Sequence, residues 1–259
     1  MPIKDNLGYS PLTPLKQKHF RGLIRMHLRI VTSIIKRQEN IDPIYYYYDI
    51  TAGSGIYQIE TDSGVEDIEG SPLIFLQEAS NLGINNYLAR FIEKEKTNYE
   101  QLKENTNQYE NVSVYYGDYN DWIHRFLPGN NENKMGLIYS DETGKIPPFE
   151  LLGKFSEIYK RLDIAIYLSA TNIKRIRRAP QTEFTETLEE SIHKINKNYW
   201  LIREPEGTHQ WTFLVGTRGF EWSDWKKEKF YRLNSEIGQR ILFELNSTDK
   251  ERTGVLSDD

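Results

Sequence analysis

Between residues 14 and 38 apolar side chains recur at three- and four-residue steps: Leu15, Leu23, Ile24, Leu28, Val31, Ile34 and Ile35. That period predicts an amphipathic helix over 14–38, with Pro14 suited to its start. Pro43 then breaks the chain. The aromatic run Tyr45–Ile50 predicts a buried strand, ending in Asp49 and a glycine turn, Thr51-Ala-Gly-Ser-Gly55. Residues 57–70 are polar and acidic and read as a loop. Ser71 suits a helix cap with Pro72 at the first helical position, the helix running to about Asn81.

The same pattern then repeats. Strands are expected at Tyr87–Ile92, Val112–Tyr116, Met135–Tyr139 and Ile164–Ser169, with helices at Lys94–Asn107, Asp121–Phe126, Pro148–Arg161 and 183–196 between and after them. Trp200–Arg203 and Gln210–Gly216 read as a hairpin across Glu204-Pro-Glu-Gly-Thr208. Residues 224–244 look helical or mixed, and 246–259 are polar. Strands alternating with helices predict an α/β fold: a Rossmann-like, mainly parallel sheet. In such sheets ligands bind beyond the carboxyl ends of the strands. An acid follows four successive strands here: Asp49, Glu93, Asp118 and Asp141.

Composition narrows the classes. The 259 residues suit one large domain or a domain with an appended subdomain. Aromatics at 13%, with 17 Tyr, argue against a disordered chain. Cysteine is absent, which excludes a disulfide framework, zinc–thiolate sites, iron–sulfur clusters and a cysteine nucleophile. The five histidines show no ligand spacing, so no metal is expected. Met1 to Pro14 holds no apolar segment of a secretory signal, and no run reaches the ~18–20 apolar residues of a membrane span. A soluble, cytoplasmic protein without a membrane partner is the expectation.

Charge is unevenly placed. Residues 6–38 hold seven bases and no acid, so the rest of the chain carries −12 against −5 for the whole. Clustered bases suit nucleic-acid phosphates, or a helix face that is solvated or docked on the acidic body. A second cluster, Lys174-Arg-Ile-Arg-Arg178, follows the fifth strand and suits phosphate binding or neutralisation of the acidic strand ends.

Gly53 and Gly55 let a ligand approach the backbone. Gln58 stands where a dinucleotide fingerprint has its third glycine, and no Gly-Lys-Ser/Thr follows, so neither a nicotinamide site nor a P-loop is read. A carboxylate at Glu93 can accept both hydroxyls of a ribose, and Asp118 an exocyclic adenine amine. Together these acids and the glycine turn suit an adenosine-like ligand.

The arrangement resembles the class I S-adenosylmethionine-dependent methyltransferases over roughly residues 44–218. Asp49-Ile-Thr-Ala-Gly-Ser-Gly55 looks like their first motif, Glu93 like their ribose acid and Gly117-Asp118 like their adenine-side acid. Thr51 stands where many members have glycine. More narrowly, Lys18-His19, Asp49-x-x-Ala-Gly-x-Gly-x-Tyr57 and Gly70-Ser-Pro-Leu73 resemble the three-Cys-motif partner protein family. The J-type ribosomal RNA adenine-N6 methyltransferases share a similar turn and a basic N-terminal segment. The resemblance implies a seven-stranded sheet with a terminal antiparallel strand, S-adenosylmethionine as cofactor, and cofactor contacts from Asp49, Thr51, Ala52, Gly53, Gly55, Tyr57, Glu93, Asp118 and Tyr119.

Base-directed amino-methyltransferases carry Asp/Asn-Pro-Pro-Tyr/Phe after the fourth strand. This chain has Ser140-Asp-Glu-Thr-Gly144, which keeps the acid and lacks both prolines and the aromatic. Asp141 is the candidate catalytic residue, able to orient a nucleophile, to meet the methionine end of the cofactor through water, or to cap a turn; the missing prolines and aromatic count against adenine-N6 transfer. Lys16, Lys18, His19, Lys174, Arg175, Arg177 and Arg178 are the candidate nucleic-acid contacts. The organisation expected is a basic helical extension over 1–42, a cofactor-binding domain over 43–245 and a tail over 246–259. The function expected is methyl transfer to DNA or RNA. The alternatives are a non-catalytic cofactor-binding subunit working with a protein partner, and a protein or small-molecule methyltransferase.

Overall fold

The computed structural model describes residues 13–61, 64–126, 133–142, 144–178, 186–206, 211–218 and 225–247. The chain forms two compact units, residues 1–143 and 144–259.

The first unit opens with helix α1 (Thr13–Ile35). Its apolar stripe is buried through Phe20, Leu23, Ile24, Leu28 and Val31. The Phe20 ring lies 4.3 Å from that of Tyr139, and His27 Nδ1 lies 2.6 Å from the Tyr45 hydroxyl. Strand β1 (Tyr45–Asp49) is buried along its whole length. Next come β2 (Ile56–Thr61) and β3 (Gly64–Glu69), paired antiparallel from Ile56 opposite Glu69 to Thr61 opposite Gly64. The stretch 57–70 is thus a two-stranded hairpin rather than the expected loop. Its strands bury little, as the exposure of β3 and of Val65 shows. Tyr57, Ile59 and Ile68 share one face, with Tyr57 opposite Ile68, but the acids around them obscure the alternation.

Helix α2 (Ser71–Asn81) is capped by Gly70 rather than by Ser71. Ser71 is buried instead and hydrogen-bonds Asp49. Then follow β4 (Tyr87–Glu93), α3 (Lys96–Thr106), β5 (Val112–Tyr116), α4 (Tyr119–Phe126) and β6 (Met135–Ser140). The four sheet strands of this unit are parallel, in the order β6-β1-β4-β5. β1 is central, with Asp49 opposite Phe91 on one side and Tyr139 on the other. All four strands therefore end together, and the acids that follow them meet at one rim.

The second unit holds α5 (Phe149–Ile158), β7 (Leu162–Ser169), α6 (Ala170–Arg178), α7 (Leu188–His193), β8 (Tyr199–Arg203), β9 (Trp211–Thr217), β10 (Phe230–Arg232) and α8 (Glu236–Asn246). Its strands run in the order β10-β8-β9-β7, each pair antiparallel. α7 begins with a reciprocal cap, Thr187 and Glu190 each bonding the other's backbone amide. β8 and β9 are the expected hairpin, although its turn residues 207–210 lie outside the described residues. Beside the β2–β3 hairpin the described residues contribute four sheet strands in each unit, one strand more than the seven expected. The addition is three-residue β10, too short for a period to register.

The architecture is the Rossmann-like α/β fold read from the sequence, with parallel strands first and a terminal antiparallel strand. Lys174-Arg-Ile-Arg-Arg178 forms the end of α6. No helix among the described residues is long and apolar enough to cross a membrane.

Candidate functional site

The first unit builds a site from the ends of β1, β4, β5 and β6. The turn after β1 has Gly53 at φ +67° and Gly55 at φ +81°, a region that side-chain-bearing residues avoid. The turn is stitched to its neighbours: Ala52 N–H donates to Ile92 O at 3.0 Å, and Gly70 N–H to Gly55 O at 2.7 Å. Tyr57 lies over this loop. A Cβ on Gly53 would stand 2.2 Å from its hydroxyl, and one on Gly70 would stand 2.9 Å from its ring.

Glu93 ends β4 and is buried. Its Oε2 accepts the Gly53 N–H at 2.8 Å, and its Oε1 accepts the Glu95 N–H at 2.7 Å. Each carboxylate oxygen offers two lone-pair sites, so each keeps capacity for a further donor. The carbonyl of Glu93 accepts the Gly117 N–H at 3.0 Å, which places the third strand end beside the second. Asp118 follows and takes both the backbone and side-chain N–H groups of Asn120 on one oxygen, Oδ1, at 2.9 and 2.7 Å. Beside it, burial, the hydrogen bond to Glu142 and the charge of Asp118 hold the Tyr119 hydroxyl well above its ordinary pKa.

Asp49 is fully buried. Burial pushes its carboxyl up to about 7, against the lowering effect of the hydrogen bonds from Ser71, the Thr51 amide and Tyr47; the Asp141 charge pushes it further up. The Thr51 amide donates to Oδ1 at 3.2 Å, and the Tyr47 hydroxyl lies 3.4 Å from Oδ2. A carboxyl protonated near 7 in the native state and near about 3.9 when unfolded binds its extra proton only in the native state between those values. Stability therefore falls as pH rises from about 4 to 7. Asp49→Asn removes that slope. In urea unfolding at pH 5 and pH 8, the wild type should lose more stability than the variant; parallel profiles would count against a protonated Asp49.

Asp141 follows β6 directly. Its N–H donates to Thr51 Oγ1 at 2.7 Å. Thr51, the residue out of step with the glycine loop of many methyltransferases, thus joins the first strand end to the fourth. The Asp141 carboxylate is engaged as well. Lys16 Nζ donates to Oδ2 at 2.8 Å, and the Tyr139 hydroxyl lies 3.3 Å from the same oxygen.

The basic face of α1 turns out to be only partly solvated. Arg21 bonds Glu69, Gln77 and Glu78; Arg25 bonds Glu78 through two nitrogens, at 2.7 and 3.1 Å. Glu78 is buried, yet the hydrogen bonds and charges of Arg25 and Arg21 outweigh that burial and hold its carboxyl below the usual range. Lys18 is exposed and His19 buried.

The structure thus brings together Asp49, Thr51, Ala52, Gly53, Gly55, Tyr57, Glu93, Asp118, Tyr119 and Asp141, with Lys16 beside the last. In the second unit, Arg175 Nη2 donates to Gly144 O at 2.9 Å, and Lys174 is half-buried on α6. The side chains of Arg177 and Arg178 lie outside the described residues. Three participants were missed in the sequence. Ser71 stands where the sequence suggests a cap, Glu142 carries no signal beyond its place beside Asp141, and Lys16 stands among bases suited to phosphate. Among the described residues no group of three or more His, Asp or Glu side chains is placed to hold a metal ion.

Strand order and rim together define a Rossmann-like α/β fold. A solved structure similar to this chain is protein LPL1258 from Legionella pneumophila, described with the family model DUF519. It is 14% identical over 88% of this chain and 93% of that one, with a TM-score of 0.54. Another is M. jannaschii TYW2 in complex with AdoMet, 15% identical over 88% of this chain and 79% of that one, with a TM-score of 0.42. At such identity the first likeness is one of fold. No family model and no curated protein matches the sequence.

Proposed function

We propose that this chain is an S-adenosylmethionine-dependent methyltransferase acting on nucleic acid, with the three-Cys-motif partner proteins as its narrower kin. The observation that carries the reading is the Glu93 carboxylate bonded to the Gly53 amide. It sets a ribose-type acid directly on a left-handed glycine turn, which is the juxtaposition an adenosine ligand needs. The residues fit the cofactor. Gly53 and Gly55 pass its methionine end, Glu93 takes the ribose hydroxyls, and Asp118 with the Tyr119 backbone takes the adenine. Thr51 and Asp49 hold the turn, Ala52 and Tyr57 wall it, and Asp141 faces the acceptor. Residues 43–245 form the catalytic domain in this reading, with 1–42 as an extension and 246–259 as a tail.

The cofactor supplies an activated methyl group on a sulfonium. The chain's contribution is to align the acceptor for direct displacement, where positioning supplies most of the rate. Lys18, His19, Lys174, Arg175, Arg177 and Arg178, with Lys16, are the candidate phosphate-side contacts. Affinity for a mixed-sequence RNA or DNA oligonucleotide should then fall steeply with salt, by about one log unit per log unit of salt for each phosphate neutralised. A salt-independent affinity would move the acceptor to a protein or a small molecule.

A second reading is favoured by one contact. The ion pair of Lys16 with Asp141 occupies the acceptor-side acid, and Glu142 and Thr143 replace the two prolines of the base-directed motif. That arrangement suits a subunit that binds the cofactor and transfers nothing, working in a multi-protein assembly. A labelled-methyl screen across RNA, DNA and protein separates the two: transfer supports the enzyme, and cofactor binding without transfer supports the subunit.

A further inference from the structure

We propose that Lys16 is a modification site of this same centre, methylated in cis by the chain that carries it. The inference rests on the methyltransferase reading and adds an acceptor to it. Lys16 lies in the first two turns of α1, and α1 is held in place by its own contacts: Phe20 against Tyr139 at 4.3 Å, and Arg21 and Arg25 on buried Glu78. This anchoring delivers the Lys16 Nζ to Asp141 Oδ2 at 2.8 Å. Asp141 is in turn fixed to the glycine turn by its amide on Thr51 Oγ1 at 2.7 Å. An amine nitrogen is therefore held at the strand end where an acceptor nitrogen has to be held. Both side chains are largely shielded, 17% and 18% exposed, so bulk water competes weakly for the position. The neighbouring base Lys18 is exposed.

The step balances with S-adenosylmethionine as methyl donor. The Nζ ammonium gives one proton to Asp141, and the neutral amine attacks the methyl carbon. The N–C bond forms as the S–C bond of the donor breaks. The sulfonium leaves as the neutral thioether, S-adenosylhomocysteine, and Asp141 passes its proton to water. Methyl-lysine keeps its positive charge, so the pair with Asp141 survives the modification. Because the acceptor belongs to the same chain, the rate per molecule should not depend on protein concentration.

The test is peptide mapping by mass spectrometry of the full chain, as purified and after incubation with S-adenosylmethionine, run beside calorimetric titration of the same samples. Methylation of the Lys16 peptide is expected in the wild type, with none at that position in Lys16→Arg. In Asp141→Asn it should proceed at least about tenfold more slowly, on the scale of a lost proton acceptor. Cofactor titration and urea midpoints of both variants separate lost methyl transfer from lost binding or a lost fold. Cofactor binding with an unmodified Lys16, or with methyl groups only elsewhere, overturns the inference and leaves the methyltransferase reading standing. Absence of cofactor binding in the wild type overturns both.

Discussion

Glu93→Ala should lose S-adenosylmethionine affinity by about 100-fold or more. Two ribose hydroxyls donating to a carboxylate are worth about 1.5–3 kcal/mol each, and every 1.4 kcal/mol is tenfold. The substitution also releases the Gly53 and Glu95 amides, which the carboxylate now holds at 2.8 and 2.7 Å. The turn then loses the bond that fixes Gly53 relative to β4. Glu93→Gln separates the two effects. It keeps a side-chain oxygen for one amide but removes the charge, and it should fall between wild type and Glu93→Ala. Calorimetric titration of the three proteins, with urea midpoints to show that each is folded, checks the ranking. Equal affinities would remove Glu93 from the site.

Gly136→Ala should destabilise the first unit by about 3 kcal/mol or more, at or beyond the upper end of ordinary overpacking. Gly136 lies opposite Tyr46 in the β1–β6 ladder. A Cβ there would stand 1.8 Å from the Tyr46 carbonyl oxygen and 2.6 Å from its carbon. The obstacle is backbone in a central strand, not the end of a flexible side chain, so the strands themselves must part. Gly136 also has φ +153°, which adds to the cost for any other residue. β6 carries Asp141 and β1 carries the glycine turn, so parting them disturbs the site as well as the fold. Urea unfolding measures the loss; a change under about 1 kcal/mol would contradict the described β1–β6 pairing.

The order of elements was legible because burial leaves a period. Tyr45–Tyr48 and Leu137–Tyr139 are continuous apolar runs, as central parallel strands require, and the stripe from Leu23 to Val31 shows α1. The hairpin β2–β3 was not legible. Tyr57 and Ile59 alternate with Gln58 in β2, but β3 offers only Val65 and Ile68 among acids and is largely exposed, so no clear period marks the pair. β10 was too short to register.

The site divides along the same line. Glu93, Asp118 and Asp141 were legible because a parallel sheet places strand ends at one rim, and position alone marked them. What each acid touches was not legible. The Lys16–Asp141 pair joins residues 125 apart in sequence, and no local period encodes it. Its nearest sequence signal was the charge contrast between the basic helix and the acidic remainder. That contrast is also satisfied inside the unit, by Arg21 and Arg25 on Glu78. The Thr51 hydroxyl on the Asp141 amide gives a physical reason for a residue that looked only like a departure from a motif.

The most direct test of the central claim is calorimetric titration of the purified, ligand-stripped protein with S-adenosylmethionine and S-adenosylhomocysteine. The account predicts saturable one-to-one binding of both, in the micromolar range, equivalent to about 8 kcal/mol. Absence of heat and of any thermal stabilisation with either compound would contradict it, and would leave a Rossmann-like fold without the proposed ligand.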